Sequence, residues 1–315
     1  MERAIFVEGL QGAGKSTMVN RLSQKNPEYT VYREGDYAPV ELAWCAYVDQ
    51  ETYQMLLEKY SGLKEEIYKN TVREEDAYVI AYTKILTEIP GFHKDLEQYE
   101  IYNGNKSREQ FEEIVLKRYQ RWSPKGEIFE CVFLQNILEN MLLYLQMEEE
   151  EILDFYRRLK EVLVGKKIEI LYLDVENIRG SVEIIKKERS DENGVELWFS
   201  MMVRYIEDSP YGKAHGLFGD GGAAHTSGKT KEAGTSYLKG SVRNGNPHFK
   251  IKTGNAGLGK GDRDGNCNRR IYALQSAYIF GACRLLCHLF YQNASSKKKG
   301  DTNQSDRKPQ GSRAS

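Results

Sequence analysis

Cysteine is scarce: five residues in 315, at positions 45, 131, 267, 283 and 287. An odd number at uneven spacing builds no disulfide framework and fits a reducing compartment. Net charge is also lacking, with 45 Lys and Arg against 46 Asp and Glu. That balance by itself argues for neither a nucleic-acid surface nor a membrane surface. No apolar run is long and clean enough to span a bilayer. The nearest approach, Ile271 to Tyr291, carries Arg284 near its middle and also His288. A mid-span arginine costs roughly 2.5–3.5 kcal/mol on insertion scales, so no membrane span is expected. No secretory leader is expected either, because Met1-Glu2-Arg3 runs straight into the first strand, and with the few cysteines a cytoplasmic protein is the expectation. Cys283, Cys287 and His288 lack a fourth ligand at a workable spacing for zinc.

The near-zero charge hides a break. Residues 216–315 hold 17 basic and 6 acidic side chains, against 28 and 40 in residues 1–215, and 16 of the 28 glycines fall in that last hundred. Two kinds of sequence meet near Gly212. Residues 1–212 read as one domain, and 213–315 as a basic Gly/Ser/Lys-rich tail.

Within the first segment, strand and helix patterns alternate. Arg3 to Val7 and Tyr29 to Glu34 read as strands, and Val40 to about Ile89 reads as helical, broken near Ser61-Gly62. A helix over Ser107 to Trp122 precedes a third strand, Gly126 to Cys131. A helix from Phe133 to Met147 follows, closed by the acidic run Glu148 to Glu151. Ile152 to Val164 is another helix, with Gly165 as its C-terminal stop. Ile168 to Val175 reads as a fourth strand, Ile178 to Glu188 as a basic helix and Val195 to Ile206 as the last helix. Such alternation predicts an α/β fold: three α/β/α layers around a parallel sheet, with helical lid and insert segments and an irregular C-terminal tail. A fifth strand should follow Gly212, and no pattern there supplies it.

The chemistry is concentrated at the end of the first strand. Gly9-Leu10-Gln11-Gly12-Ala13-Gly14-Lys15-Ser16, followed by Thr17, fits G-x-x-x-x-G-K-[ST] between a strand and a helix. Glycines let backbone N–H groups turn inward as a phosphate cradle, and the helix adds the positive end of its dipole. The pattern predicts a P-loop for ATP, formed by Gly9, Gly12, Ala13, Gly14, Lys15, Ser16 and Thr17. Lys15 would meet the β- and γ-phosphates, and Ser16 would ligate Mg2+. A look-alike, Gly254 to Gly261, ends in glycine and so lacks the Mg2+ hydroxyl.

Val7-Glu8-Gly9 through Thr17 resembles the E-G-x-x-G-x-G-K-S-T opening of thymidylate kinases and their P-loop nucleoside and nucleotide kinase relatives. Tyr172-Leu173-Asp174-Val175-Glu176 is similar to that family's fourth strand, and the basic stretch 179–189 to its lid. The resemblance covers about residues 3–212 and implies ATP- and Mg2+-dependent phosphoryl transfer to a small nucleotide or nucleoside. It implies no membrane partner, and a nucleic-acid partner only through the basic tail; a homodimer is compatible with it. The family ends its third strand in Asp-Arg or Glu-Arg, whereas this chain has Glu130-Cys131. Glu130 carries over as the Mg2+-shell or acceptor-side acid. The arginine does not, and Arg73, Arg118 or Arg121 is expected to replace it. Glu34 and Asp36 end the second strand, where relatives approach the acceptor. Asp174 is a ligand candidate or a helix cap, and among Arg179, Lys186, Lys187 and Arg189 the last is the expected catalytic lid cation. The rival expectation is a nucleotide-binding switch or ATPase with no small acceptor, or an inactive product. The tail admits three readings: a basic disordered arm, a small second domain, or out-of-frame sequence replacing the final strand.

Overall fold

The first strand, β1 (Ala4–Gly9), is buried along its whole length and lies at the centre of a five-stranded sheet. This is seen in a computed structural model that describes residues 3–175, 177–178, 180, 183, 186, 190, 197–219, 225–234 and 249–255. On one side of β1 lie β6 (Glu127–Glu130) and then β2 (Thr30–Tyr32). On the other lie β7 (Ile168–Asp174) and then β8 (Phe249–Asn255). All four pairings are parallel. A parallel sheet needs cover on both faces, and alternate residues of β1 divide between two cores. Ala4 and Phe6 face a core that includes Phe111, Tyr119, Phe155 and Leu159 of α5 (Arg108–Arg121) and α7 (Glu149–Val162). Ile5 and Val7 face Val19, Met18 and Leu22 of α1 (Lys15–Lys25). This is the expected α/β layering.

Aromatic side chains fill the thicker layer. The ring of Phe6 lies 5.4 Å from Phe129, 5.7 Å from Phe133 and 5.8 Å from Trp122. Each such side chain taken fully out of water contributes roughly 1.5–3 kcal/mol.

The stretch expected to be helical from Val40 to Ile89 is mixed instead. Helices α2 (Gln50–Lys59) and α3 (Lys64–Lys69) accompany a small antiparallel sheet, ordered β3 (Ala46–Val48), β5 (Tyr78–Ile80), β4 (Thr71–Arg73). Three-residue strands are too short to show a period of two, and the neighbouring helices mask them. With α4 (Phe92–Glu97) they enclose a second core containing Tyr53, Leu56, Ile67, Ile80 and Phe92.

Two further boundaries differ. The acidic run does not close the helix before it: Glu148 caps α7, and Glu149, Glu150 and Glu151 form its first turn, where the helix dipole favours anions. The helix expected from Phe133 starts later, as α6 (Gln135–Glu139), and widens at once into a π-helical turn over Asn140–Tyr144. Past α8 (Leu197–Asp208) and α9 (Pro210–His215), residues 225–234 are helical and β8 pairs with β7 in register Ile168↔Phe249 to Asp174↔Asn255. The fifth strand thus lies inside the segment read as an irregular tail. Phe249-Lys250-Ile251-Lys252 alternates too briefly for an edge strand to stand out. The chain divides into two units, Met1–Arg263 and Asp264–Ser315, so the first extends well past 212. Among the described residues no helix is long and apolar enough to cross a membrane.

Candidate functional site

The loop after β1 is shaped by its glycines. A Cβ on Gly9 would stand 2.6 Å from the Leu173 carbonyl oxygen, and its φ of 145° disfavours any side chain. Gly12 and Gly14 have φ of 75° and 81°. Gly14 is the N-cap of α1 and offers no side chain to its first turn, which carries no acidic residue. The opening N–H groups of an eleven-residue helix are therefore presented outward with the dipole's positive end.

Lys15 is only 6% exposed. Its ammonium donates to the Leu10 carbonyl at 2.7 Å and to Gln135 Oε1 at 2.8 Å. Beside it Ser16 Oγ donates to Glu130 Oε1 at 2.6 Å. Parallel pairing of β1 with β6, Val7 opposite Glu130, brings that carboxylate to the loop. Thr17 is exposed on the first turn.

The cation beside Glu130 is none of the three expected. Arg33, directly after β2, has Nη1 3.8 Å from Glu130 Oε2 and Nη2 donating to Asn20 Oδ1 at 2.5 Å. Arg118 is buried elsewhere, paired with Glu74 and donating to the Ala38 carbonyl at 2.5 Å. Arg121 pairs with Glu75 at 2.6 Å and Asp76 at 3.1 Å, and Arg73 lies over the Tyr78 ring at 5.8 Å. Asp36 accepts from the Arg33 backbone N–H at 2.9 Å and pairs with Lys84 at 2.5 Å, which shapes the turn it sits in. The charge of Glu34 is felt by Cys131, Glu41 and Glu139. Asp174 pairs with Lys231 at 2.7 Å. Lys186 lies 4.6 Å over the Phe199 ring. Arg179, Lys187 and the expected lid cation Arg189 lie outside the described residues.

No protein-family model matches the chain and no curated protein matches it in sequence, so geometry carries the functional reading.

Several further buried residues carry polar groups to which the sequence pattern assigned no role. Glu8 is fully buried and accepts from the backbone N–H groups of Phe133 at 2.8 Å and Leu134 at 3.0 Å. Burial lifts its carboxyl to about 7, against the pull of those N–H donors and of Lys15. Cys131 has a left-handed φ of 61° and no exposure, and burial pushes its thiol well up. Non-glycine residues held in that region cluster at functional sites. Glu139 is raised to about 7 by burial and then by Glu34, with Lys15 opposing. Asn140, 1% exposed on the π-turn, has both side-chain polar atoms without a hydrogen-bond partner among the described residues, as has Asn136 Nδ2. A buried amide left open in this way costs about 1–3 kcal/mol, and π-turns recur at functional sites. The signal that existed in the sequence was Arg33, next to Glu34. Gln135 and Asn140 have no motif of their own, and Glu8 entered only as the acid before Gly9 in the E-G-x-x-G-x-G-K-S-T resemblance, with no role attached to it.

Proposed function

We propose that this chain is a P-loop NTPase-type kinase that moves the γ-phosphoryl group of ATP to a small nucleotide or nucleoside. One observation carries the reading: Ser16 Oγ and Glu130 Oε1, 114 residues apart in sequence, meet at 2.6 Å beside the buried Lys15. A hydroxyl and a carboxylate in contact at a glycine loop form a hard oxygen donor set of the kind Mg2+ accepts, with phosphate oxygens and water completing its shell. Ser16 and Glu130 would hold the ion, which when bound neutralises charge on the phosphate oxygens.

The remaining work falls to side chains and backbone of the chain itself. The N–H groups of the 9–16 loop and the first turn of α1 cradle the β- and γ-phosphates, and Lys15 adds a cation to the same oxygens. Arg33 approaches Glu130 from the β2 side and is suited to the acceptor's phosphate or to the charge that develops in transfer. Arg33 beside Glu130 favours a kinase over a switch that uses the same loop without an acceptor.

Thermal melting with Mg2+ and a panel of nucleotides and nucleosides tests the binding half, because a ligand of the native state raises the melting temperature by mass action. ATP should raise it, and at least one nucleoside or nucleoside monophosphate should raise it further. An ATP-consumption assay over the same panel tests the transfer half. In that assay Glu130→Gln should cut transfer on the order of a hundredfold with little change in ATP binding. No acceptor consuming ATP faster than water does would give the switch the better claim.

A further inference from the structure

Lys15 is held from two sides, and one of them leads back into the core. An ammonium has three N–H donors. Leu10 O and Gln135 Oε1 take two of them, so the direction of the third is set by where Gln135 stands. Gln135 is 2% exposed and opens α6, whose N-cap residue Leu134 supplies no side-chain cap. What satisfies the orphan N–H groups at this turn comes from another element: the Glu8 carboxylate on β1 takes Phe133 N–H and Leu134 N–H, one on each oxygen. The preceding residues are pinned from the same strand, since Cys131 N–H donates to Val7 O at 3.2 Å. Two adjacent residues of β1 therefore fix the path of 131–135, and that path fixes Gln135 against Lys15.

We propose that Glu8 is a positioning residue for phosphate binding, acting through the backbone of 133–134 and the Gln135 side chain to aim the Lys15 ammonium. The inference rests on the reading that the 9–16 loop grips a nucleotide phosphate, and it adds to that reading a residue that touches no ligand. Glu8 accepts on both oxygens, and a carboxylate accepting two backbone N–H groups forms stronger bonds than a neutral amide can. An amide in its place keeps one acceptor and turns an NH2 group toward the other N–H donor. The loop must then shift and Gln135 with it.

The test compares wild type, Glu8→Gln, Gln135→Met and the double variant. Dissociation constants for Mg-ATP are measured by calorimetry, and the Lys15 ammonium is followed by nitrogen-15 NMR in lysine-labelled protein. Each single variant should weaken Mg-ATP binding about tenfold, as expected for loss of one charge-assisted hydrogen bond. The double variant should be no weaker than the worse single one, because both changes break the same chain of contacts. The Lys15 signal, narrow in wild type, should broaden in Glu8→Gln while backbone amides distant from the site keep their shifts, which a general loss of stability would not produce. Losses that multiply to about a hundredfold in the double variant would overturn the proposal. So would an unchanged Lys15 signal in Glu8→Gln. Should Glu8→Gln fail to fold, Gln135→Met decides alone: wild-type affinity in that variant removes the link. A folded wild type that binds no Mg-ATP overturns the phosphate reading itself, and that result is seen before any variant is compared.

Discussion

Two carboxyl groups are buried where the insert meets the main core, and they should make the fold less stable as pH rises. Glu41 accepts from Tyr102 Oη at 2.7 Å and from the Ala43 N–H at 2.8 Å. Glu100 accepts from Tyr82 Oη at 2.5 Å and from Asn103 Nδ2 at 3.0 Å. Burial raises Glu41 to about 7, with Glu34 adding to the rise, and raises Glu100 to about 8, with Glu97 and Glu41 adding. The Cys45 thiol between them is pushed up too far to titrate in the same range. In the unfolded chain both carboxyls return to near 4.5. The folded state therefore holds these protons more tightly. Their stabilising contribution is complete below about pH 4.5 and is lost as pH climbs through about 7 and 8. Between pH 7 and 9 the carboxyl near 8 gives up roughly 1 kcal/mol of stability and the one near 7 a smaller part. Glu8 and Glu139, each near 7, add in the same direction. His93, lowered by burial, acts in the opposite direction, but only below its ordinary value of 6.5. Urea unfolding followed by circular dichroism at pH 7, 8 and 9 should show stability falling by about 2 kcal/mol. Glu100→Gln, neutral throughout, should remove the larger share of that fall. Stability that is flat or rising over this window, or an undiminished fall in Glu100→Gln, would refute the reasoning.

Three further outcomes are expected. Lys15→Ala should abolish stabilisation by Mg-ATP in thermal melts, because backbone N–H groups alone do not replace a cation on the β- and γ-phosphates. Gly9→Ala should cost about 3 kcal/mol in urea melts, since the added carbon meets the Leu173 carbonyl at 2.6 Å at a φ of 145°. Arg33→Gln should slow phosphoryl transfer at least about tenfold with little change in stability, whereas Arg118→Met should lower stability by about 3 kcal/mol through the stranded Glu74; equal stability losses in the two would contradict the roles assigned here.

The glycine loop, its strand and its helix were legible because three constraints coincide in a dozen residues: a buried strand, positive-φ glycines and a helix start. The central strands were legible for a related reason, as both of their faces are buried and their apolar runs are nearly continuous. The small sheet over 46–80 was not, because three-residue strands carry no measurable period. Nor was β8, an edge strand that pairs on one side only. At the site, Ser16 and Glu130 were found separately by motif and by strand end, but their meeting depends on the parallel register of β1 and β6. Gln135 and Glu8 act through a backbone path and a cross-strand contact, which no local spacing encodes.

On the proposed kinase reading, position 131 lacks the arginine of the family's third-strand ending while a cation still stands beside Glu130. The backbone there is left-handed and the side chain wholly enclosed, with Cys131 Sγ 3.6 Å from Gln135 Oε1. An arginine at that position would need space now filled by the very contacts that orient Lys15. A small, weakly polar thiol fits the enclosure. The cation arrives instead from β2, where Arg33 is anchored by Asn20 of α1 and by its own turn through Asp36. Phosphoryl transfer asks for positive charge at a place and is indifferent to which strand delivers it. With β2 paired beside β6, Tyr32 opposite Phe129, the residue after β2 and the residue after Phe129 end on the same edge of the sheet. Sequence distance hides that neighbourhood, and strand order supplies it.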